Sequence, residues 1–437
     1  MATIPNNSLR NVQLYLRSYL ALLQNYSCHV SSFNKRFNDF NTMTGNLGSS
    51  TTYDLPPLFT TAAGLVAADQ VAAQRIATLT VDQANNTSIN MSAQEIMFNM
   101  KNGAEDYRKV FAKSGVASLA QAIEINVAKN WDSSVANQTT GALDTTSGPY
   151  RFYGNGTSAL SSFQQLAEMV MMFRTSGMVP DGLDIYLPDY IIPGIVGTGL
   201  NQFAQNRNND IAMSWMVGAF GTPEDTYYRS NVLPTHSSGN TGVLAQELTV
   251  VSTNDPTGAN VTQITLSGAT ASDPQAVFSG DLFQFVDGVS GRTNARLLTT
   301  IGSVQSRAPY QMRVTANATA TAGGNVVITL SRPAIWAAGA TQNINTPIIA
   351  GMKILGLPSH RAGGLVGGEA AYLAMPKLPP EAPFDSVSET DPDTGASLRM
   401  SYGSLLGLNQ SKMILYEIHG SRVEPDYSSR VVVSLTQ

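Results

Sequence analysis

Apolar residues recur with helical spacing at the start of the chain. Leu9, Val12, Leu16, Leu20 and Leu23 form one stripe, which predicts a helix over 8–26 with Asn7 or Ser8 as its cap. Residues 27–50 are polar and irregular and end in TGNLGSS, so 1–47 reads as an N-terminal arm with too little apolar surface to fold alone. From 51 to 98 the period changes. Ile76, Leu79, Val81, Ile89 and Met91 show partial two-residue alternation, and TTYDLPPLF before them ends in a Pro pair. Long strands between polar loops predict an extended hairpin rather than a compact core. The clearest element follows. Asn102 with Glu105 resembles a capping box, and Tyr107, Phe111, Leu119, Ile123, Val127 and Trp131 then recur at four-residue steps, with Gly115 in the missing place. This predicts a helix over 102–133, about 45 Å long, against about 11–12 residues for an average helix. Such a helix can serve as a spine.

Residues 159–240 read as α/β. Phe163, Leu166, Val170 and Phe173 predict an amphipathic helix that stops near Gly177, GLDIYLP predicts a strand, and DYIIPGIVGTGL a short helix and turn. The stretch YYRSNVLPTHSSGNTG (227–242) then dissolves into turn formers, and the composition changes behind it. Residues 244–345 are rich in Thr, Val and Gly and show no helical period. VTQITL, DLFQFV, YQMRVTANA and NVVITL read as strands, and TAGGN as a hairpin turn. Short strands at regular spacing predict a small β-barrel or sandwich. From about 346 the α/β character returns and ends in strand, connection, strand, turn, strand. The expectation is one α+β body, 1–240 and 346–437, with an inserted all-β domain.

Composition adds a constraint. Of 437 residues, 43% are hydrophobic and only 13% charged, against roughly 25% in an average domain. A surface with so few charges repels its neighbours weakly, which suits a chain that meets many copies of itself. Net charge is −5, so there is no basic footprint for specific nucleic-acid binding. The single cysteine, Cys28, excludes an intrachain disulfide and a multi-cysteine zinc site. Arg10 and Arg17 interrupt the N-terminal apolar run, which argues against a signal peptide, and no stretch approaches the ~20 apolar residues of a membrane span. Synthesis and retention in a cytosol are expected.

Candidate chemistry is sparse. His29, His236, His360 and His419 are far apart in sequence and show no metal-ligand spacing. His236 and His360 flank the inserted segment and are expected to approach in space as structural histidines. There is no nucleophile elbow and no P-loop. GIVGTGL (194–200) lacks the full dinucleotide fingerprint, and SETDPDTGAS (388–397) lacks the register of a calcium loop, so it reads as a solvated loop. Cys28 has no sequence feature that would activate it. No catalytic residue, cofactor or metal ligand is expected, and the chain is not expected to be an enzyme.

The order of these features resembles a family. An arm, an extended hairpin and a spine helix are followed by YRSNVLPTHSSG. Then come SGDLFQFVDGVSGRTNARL…MRVTANATATAGGNVVITLSRPAIW and ASLRMSYGSLL…MILYEIHGSRVEPDYSSRVVV. Together they resemble the major capsid proteins of tailed double-stranded-DNA bacteriophages, the HK97-like fold, in the branch of the phage P22 coat protein that carries an inserted domain. The resemblance implies an N-terminal arm (1–47), an E-loop (48–98) reaching over a neighbouring subunit, and the spine helix of a P-domain (99–139). It also implies an A-domain (140–243), an inserted β-barrel (244–345), and a return to the A-domain with the closing strands of the P-domain (346–437). The implied function is self-assembly into hexamers and pentamers of an icosahedral virion shell around the double-stranded DNA genome. Implied partners are the chain itself, a scaffolding protein, a portal, decoration proteins and DNA held without sequence specificity, with assembly in the host cytoplasm and no membrane. The alternative is another multimeric virion component, such as a tail or decoration protein.

Overall fold

The computed structural model describes residues 7–34, 50–55, 58–59, 75–92, 104–134, 143–144, 146–175, 182–191, 193, 226–286, 295–299, 305–367, 370–380, 385–391, 395–405 and 410–435. The fold is α+β, as the sequence implies, with helices on the sheets of one body and an all-β unit inserted in it. The expected cap at Asn102, the GIVGTGL segment and arm residues 35–49 lie outside the described residues.

The first helix, Asn7–Tyr26, lies where the leucine stripe puts it. It is not a free arm over its second half. Leu16, Tyr19, Leu20 and Leu23 are buried in the main core together with Val116, Leu119 and Ile123 of the long helix. A stripe of four large apolar side chains has to be covered, and the spine covers it. A short helix, Cys28–Ser32, follows, capped by Ser27, whose Oγ accepts the Val30 N–H at 3.2 Å.

The expected hairpin holds for two strands. Ser50–Leu55 pairs antiparallel with Arg75–Thr80, Tyr53 opposite Ala77. The next strand, Gln83–Ser92, leaves the hairpin and pairs with Gln410–Val423 over ten residues, so it belongs to the body. There it completes a five-stranded sheet with Ala371–Ala374, Ser397–Leu405 and Asp385–Thr390. Where the 14-residue strand Gln410–Val423 passes the hairpin, Gly420 is required: a Cβ there would sit 2.0 Å from the Thr80 carbonyl oxygen.

The long helix spans Ala104–Ala128 and tightens into a 3-10 turn, Lys129–Trp131. At 25 residues it is about 37 Å long. Its end abuts a second sheet, ordered Phe152–Tyr153, Ser428–Val433, His360–Gly367, Leu183–Pro188 and Thr226–Ser230. Trp131 lies flat on that sheet at Gly364, where an added Cβ would meet the indole at 2.4 Å. The closing segment therefore does not stay in one sheet. Ser397–Leu405 and Gln410–Val423 complete the first, and Ser428–Val433 crosses to the second, joined by a 3-10 turn at Pro425–Tyr427.

The inserted unit is a six-stranded antiparallel sheet ordered Gln311–Arg313, Leu282–Phe285, Lys353–Gly356, Glu247–Thr253, Asn260–Ser267 and Asn325–Ile335. A bridge between Val314 and Leu330 joins its two ends, which closes the expected barrel. Inward residues such as Leu248, Val250, Ile264, Leu266, Phe283, Val326 and Ile328 form a separate core. TAGGN does form a turn, with Gly324 at φ +73° and its N–H donating to the Thr321 carbonyl. The predicted exit at 345 falls too early. Lys353–Gly356 lies between Glu247–Thr253 and Leu282–Phe285 and is central to the sheet, while Ile348, Met352 and Ile354 belong to the barrel core. The GLPSH turn after it, rather than the polar TQNIN, is the true boundary.

Candidate functional site

The inserted unit meets the body through a narrow seat. The outgoing strand Thr235–His236 lies antiparallel beside the start of the returning strand, with His236 opposite His360. The two connections are thus adjacent, as an insertion into one loop requires. The imidazole rings are 5.2 Å apart, so the sequence expectation that these histidines approach is met.

Around them lies a buried charged cluster. His236 Nδ1 is 3.0 and 3.1 Å from the two Asp132 oxygens, and its Nε2 is 2.8 Å from Asp281 Oδ1. Asp132 comes from the end of the spine and Asp281 from the barrel. Asp132 also accepts the Ser134 N–H and hydroxyl, at 3.0 and 2.8 Å. Asp281 accepts the Phe278 N–H at 2.8 Å and the Gly239 N–H at 3.1 Å. Arg430, fully buried on the closing strand, directs Nη2 at Asp132 (3.4 Å) and Nη1 at the Gly280 carbonyl (3.4 Å). Burial opposes the charge of Asp132, but His236 and Arg430 hold its carboxyl far below the usual range. Burial, Arg430 and His236 together push His360 down to about 3. It stays neutral, with Nδ1–H donating to the Pro358 carbonyl at 2.8 Å.

Further contacts fix the seat. Gln311 of the barrel accepts the Phe152 N–H at 2.9 Å and donates to the Phe152 carbonyl at 2.8 Å, as a strand neighbour would. Arg313 donates to the Ser147 carbonyl at 2.8 Å. Asp426 of the closing turn pairs with Arg75 of the hairpin at 2.5 Å and with Arg332 of the barrel, so one carboxylate ties three segments. Tyr150 belongs by sequence to the body and by packing to the barrel core, with the Arg151 and Arg332 guanidinium groups over its ring.

A second buried cluster surrounds His29. Its Nδ1 faces Glu124 of the spine, its Nε2 accepts the Trp131 indole N–H at 3.1 Å, and its ring stacks on Tyr186 at 4.7 Å. Glu124 also accepts the Ser27 hydroxyl and the His29 N–H. Cys28 Sγ lies 3.6 Å from both His29 and Glu124, at the edge of a polar cleft of about 280 Å³ that Asp189 and Arg229 also line. Cys28, His29 and Glu124 are close enough to suggest a metal site, but the donor set does not fit one. The Trp131 N–H needs the Nε2 lone pair, so the ring's single proton sits on Nδ1, where a metal would have to bind. Burial favours a neutral His29, and Glu124 works the other way, up to about 10. A second ring proton would point at the Trp131 N–H, so we assign the neutral form bonded to a Glu124 carboxylate. Burial raises the Cys28 thiol, in keeping with an unactivated side chain.

His419 is buried beside Glu417, with Nδ1 2.9 Å from Oε2. The acidic run at 388–397 is not a free loop. Glu389 and Asp391 pair with Arg17 and Gln24 of the first helix, and the described ends of the run belong to paired antiparallel strands, Thr390 opposite Ser397. Sequence reading missed Asp132, Asp281, Arg430, Glu124 and Gln311. His236 is separated from Asp132 by 104 residues and from Asp281 by 45, so no local motif links them.

No helix among the described residues is long and apolar enough to cross a membrane. No protein-family model matches the chain, and no curated protein does. Among solved structures it is similar to the capsid of cyanophage P-SCSP1u, with 13% identity over 92% of this chain and 88% of that one, at a TM-score of 0.38. It is similar to the capsid of Ralstonia phage GP4, with 9% identity over 90% and 86%, at 0.41. It is also similar to the cyanophage Pam1 capsid asymmetric unit, with 9% identity over 92% and 89%, at 0.42.

Proposed function

We propose that the chain is the major capsid protein of a tailed double-stranded-DNA bacteriophage. It assembles into hexamers and pentamers of a closed icosahedral shell and plays a structural rather than catalytic part. The observation that carries this reading is the hairpin Ser50–Leu55/Arg75–Thr80. Among the described residues it pairs with no other strand, and a lone two-stranded hairpin is marginal in water. One face of it is anchored along the described strands, since the Tyr53 hydroxyl donates to Glu424, Arg422 donates to the Thr78 carbonyl and Arg75 pairs with Asp426. Its outer face shows Ile76, and nearby Phe59 is also more than half exposed. An anchored hairpin with open edges and a single exposed Ile76 among Ser, Thr and Asp side chains fits a segment completed by another copy of the chain. The low charge content and the acidic balance fit dense packing of like subunits around DNA without trapping it on the wall.

The resemblance of the closing and inserted segments to P22-branch coat proteins supports the same reading. Scaffolding, portal and decoration proteins would then be its partners, and the virion its location. Negative-stain electron microscopy of the full chain, expressed with and without neighbouring phage genes, tests this. Closed shells tens of nanometres across are expected. Tubes or rings would favour a tail or decoration component, and small discrete particles in both preparations would overturn the assembly reading. Ile76→Asp should abolish shells and leave the circular dichroism spectrum of the subunit unchanged.

A further inference from the structure

We infer that His236 is a charged bolt: an imidazolium held between Asp132 of the body and Asp281 of the barrel, which locks the inserted domain in place and releases it when base removes its proton. The charge follows from geometry. Both ring nitrogens face carboxylate oxygens at 2.8–3.1 Å. The other contacts of those carboxylates are donors: the Ser134 N–H and hydroxyl and Arg430 on Asp132, the Phe278 and Gly239 N–H groups on Asp281. Neither carboxyl therefore needs a proton of its own, and each ring nitrogen must bring one.

The surroundings keep the site balanced. Facing His236 are Asp132 after the spine, Asp281 of the barrel, Arg430 of the closing strand and neutral His360 of the returning strand, with the Ser134 hydroxyl 3.3 Å from Nδ1. Arg313 is the next charge outward, committed to the Ser147 carbonyl. Two carboxylates thus meet two cations, His236 and Arg430. Gly280, at φ +91°, leaves the space for this contact, since a Cβ there would lie 3.0 Å from Asp132 Oδ1 and 3.1 Å from His236 Cε1.

The direction of the pH effect follows. Burial lowers the proton affinity of His236, but Asp132 and the carboxylate hydrogen bonds outweigh it and raise it above its ordinary value. The bolt is therefore fully engaged below the unfolded value of about 6.5 and is lost as pH rises through the folded one. Deprotonation leaves a ring lone pair facing a buried carboxylate, so alkaline pH loosens the seat while the Gln311 and Arg313 contacts remain.

The chain has four histidines, so NMR of the full protein labelled with 13C/15N-histidine reads each ring. Above the ordinary value of about 6.5, where a free imidazole is mostly neutral, one ring should still carry two protons, its signal should move in Asp281→Asn, and its titration should coincide with part of the alkaline fall in Tm, a part absent in His236→Gln. If Asp281→Asn does not fold, Ser134→Ala, which removes a hydroxyl beside the same ring, makes the assignment. The inference is overturned if no ring stays doubly protonated above the ordinary imidazole value of about 6.5. It is also overturned if the charged ring responds to Ser27→Ala, beside His29, and not to Asp281→Asn or Ser134→Ala.

Discussion

The barrel and the body bury their apolar side chains in different ways. Apart from Tyr150, the barrel core comes from one continuous stretch, Leu248 to Ile354. The body core gathers Leu16–Phe33, Val116–Trp131, Leu160–Ile191 and Ala362–Val433, segments separated by long excursions. The barrel can be built from near neighbours, whereas the body needs both ends of the chain. Contacts that close long loops carry a larger entropic cost before they are repaid. The barrel is therefore the more autonomous unit, and a largely polar seat beside a small apolar cluster of Phe152, Leu282, Leu357 and Val432 fixes how it stands on the body.

The sharpest way to break this comparison is truncation. A fragment of 238–357 should unfold in one cooperative thermal transition. A fragment of 244–345 should be molten or insoluble, because it lacks Lys353–Gly356 from the middle of the sheet. Cooperative unfolding of the shorter piece would show that the returning strand is dispensable. The next largest effect should come from Trp131→Ala. It removes a fully buried indole against Gly364 and should cost the body about 3–5 kcal/mol, leaving the barrel transition in calorimetry in place. A matched fall in both transitions would mean that the two units do not unfold separately.

Gln311→Ala tests the seat itself. It deletes both hydrogen bonds to the Phe152 backbone and orphans buried groups, for an expected loss of about 1–3 kcal/mol by urea denaturation. No change would place the hold of the seat elsewhere, in the His236 cluster. At the small end, Arg17→Ala removes an ion pair to Glu389 at 2.7 Å whose arginine is 66% exposed. The unfolding free energy from urea denaturation should fall by less than about 0.5 kcal/mol.

Much of the element order was legible, for reasons visible in particular residues. Leu16, Leu20 and Leu23 have a helical period that survives folding, and VTQITL and NVVITL have a strand period that does. The inserted β-domain was marked by its loss of helical pattern. The arm reading did not say what the leucine stripe packs on, because a periodic stripe shows that a face needs cover but not what covers it. The exit at 345 failed because TQNIN is a loop inside the barrel, and KILG is too short to announce which sheet it joins.

The sequence by itself determined the helices and strands, the inserted all-β segment and the sparse surface charge, since each depends on local period or composition. Only the tertiary structure decided that Gln83–Ser92 leaves the hairpin for the body sheet, that Ser428–Val433 crosses between sheets, and that Asp132, His236, Asp281 and Arg430 meet. Strand partners and buried charge pairs are chosen by which surfaces the folded chain brings together and dries, and no local pattern encodes that choice.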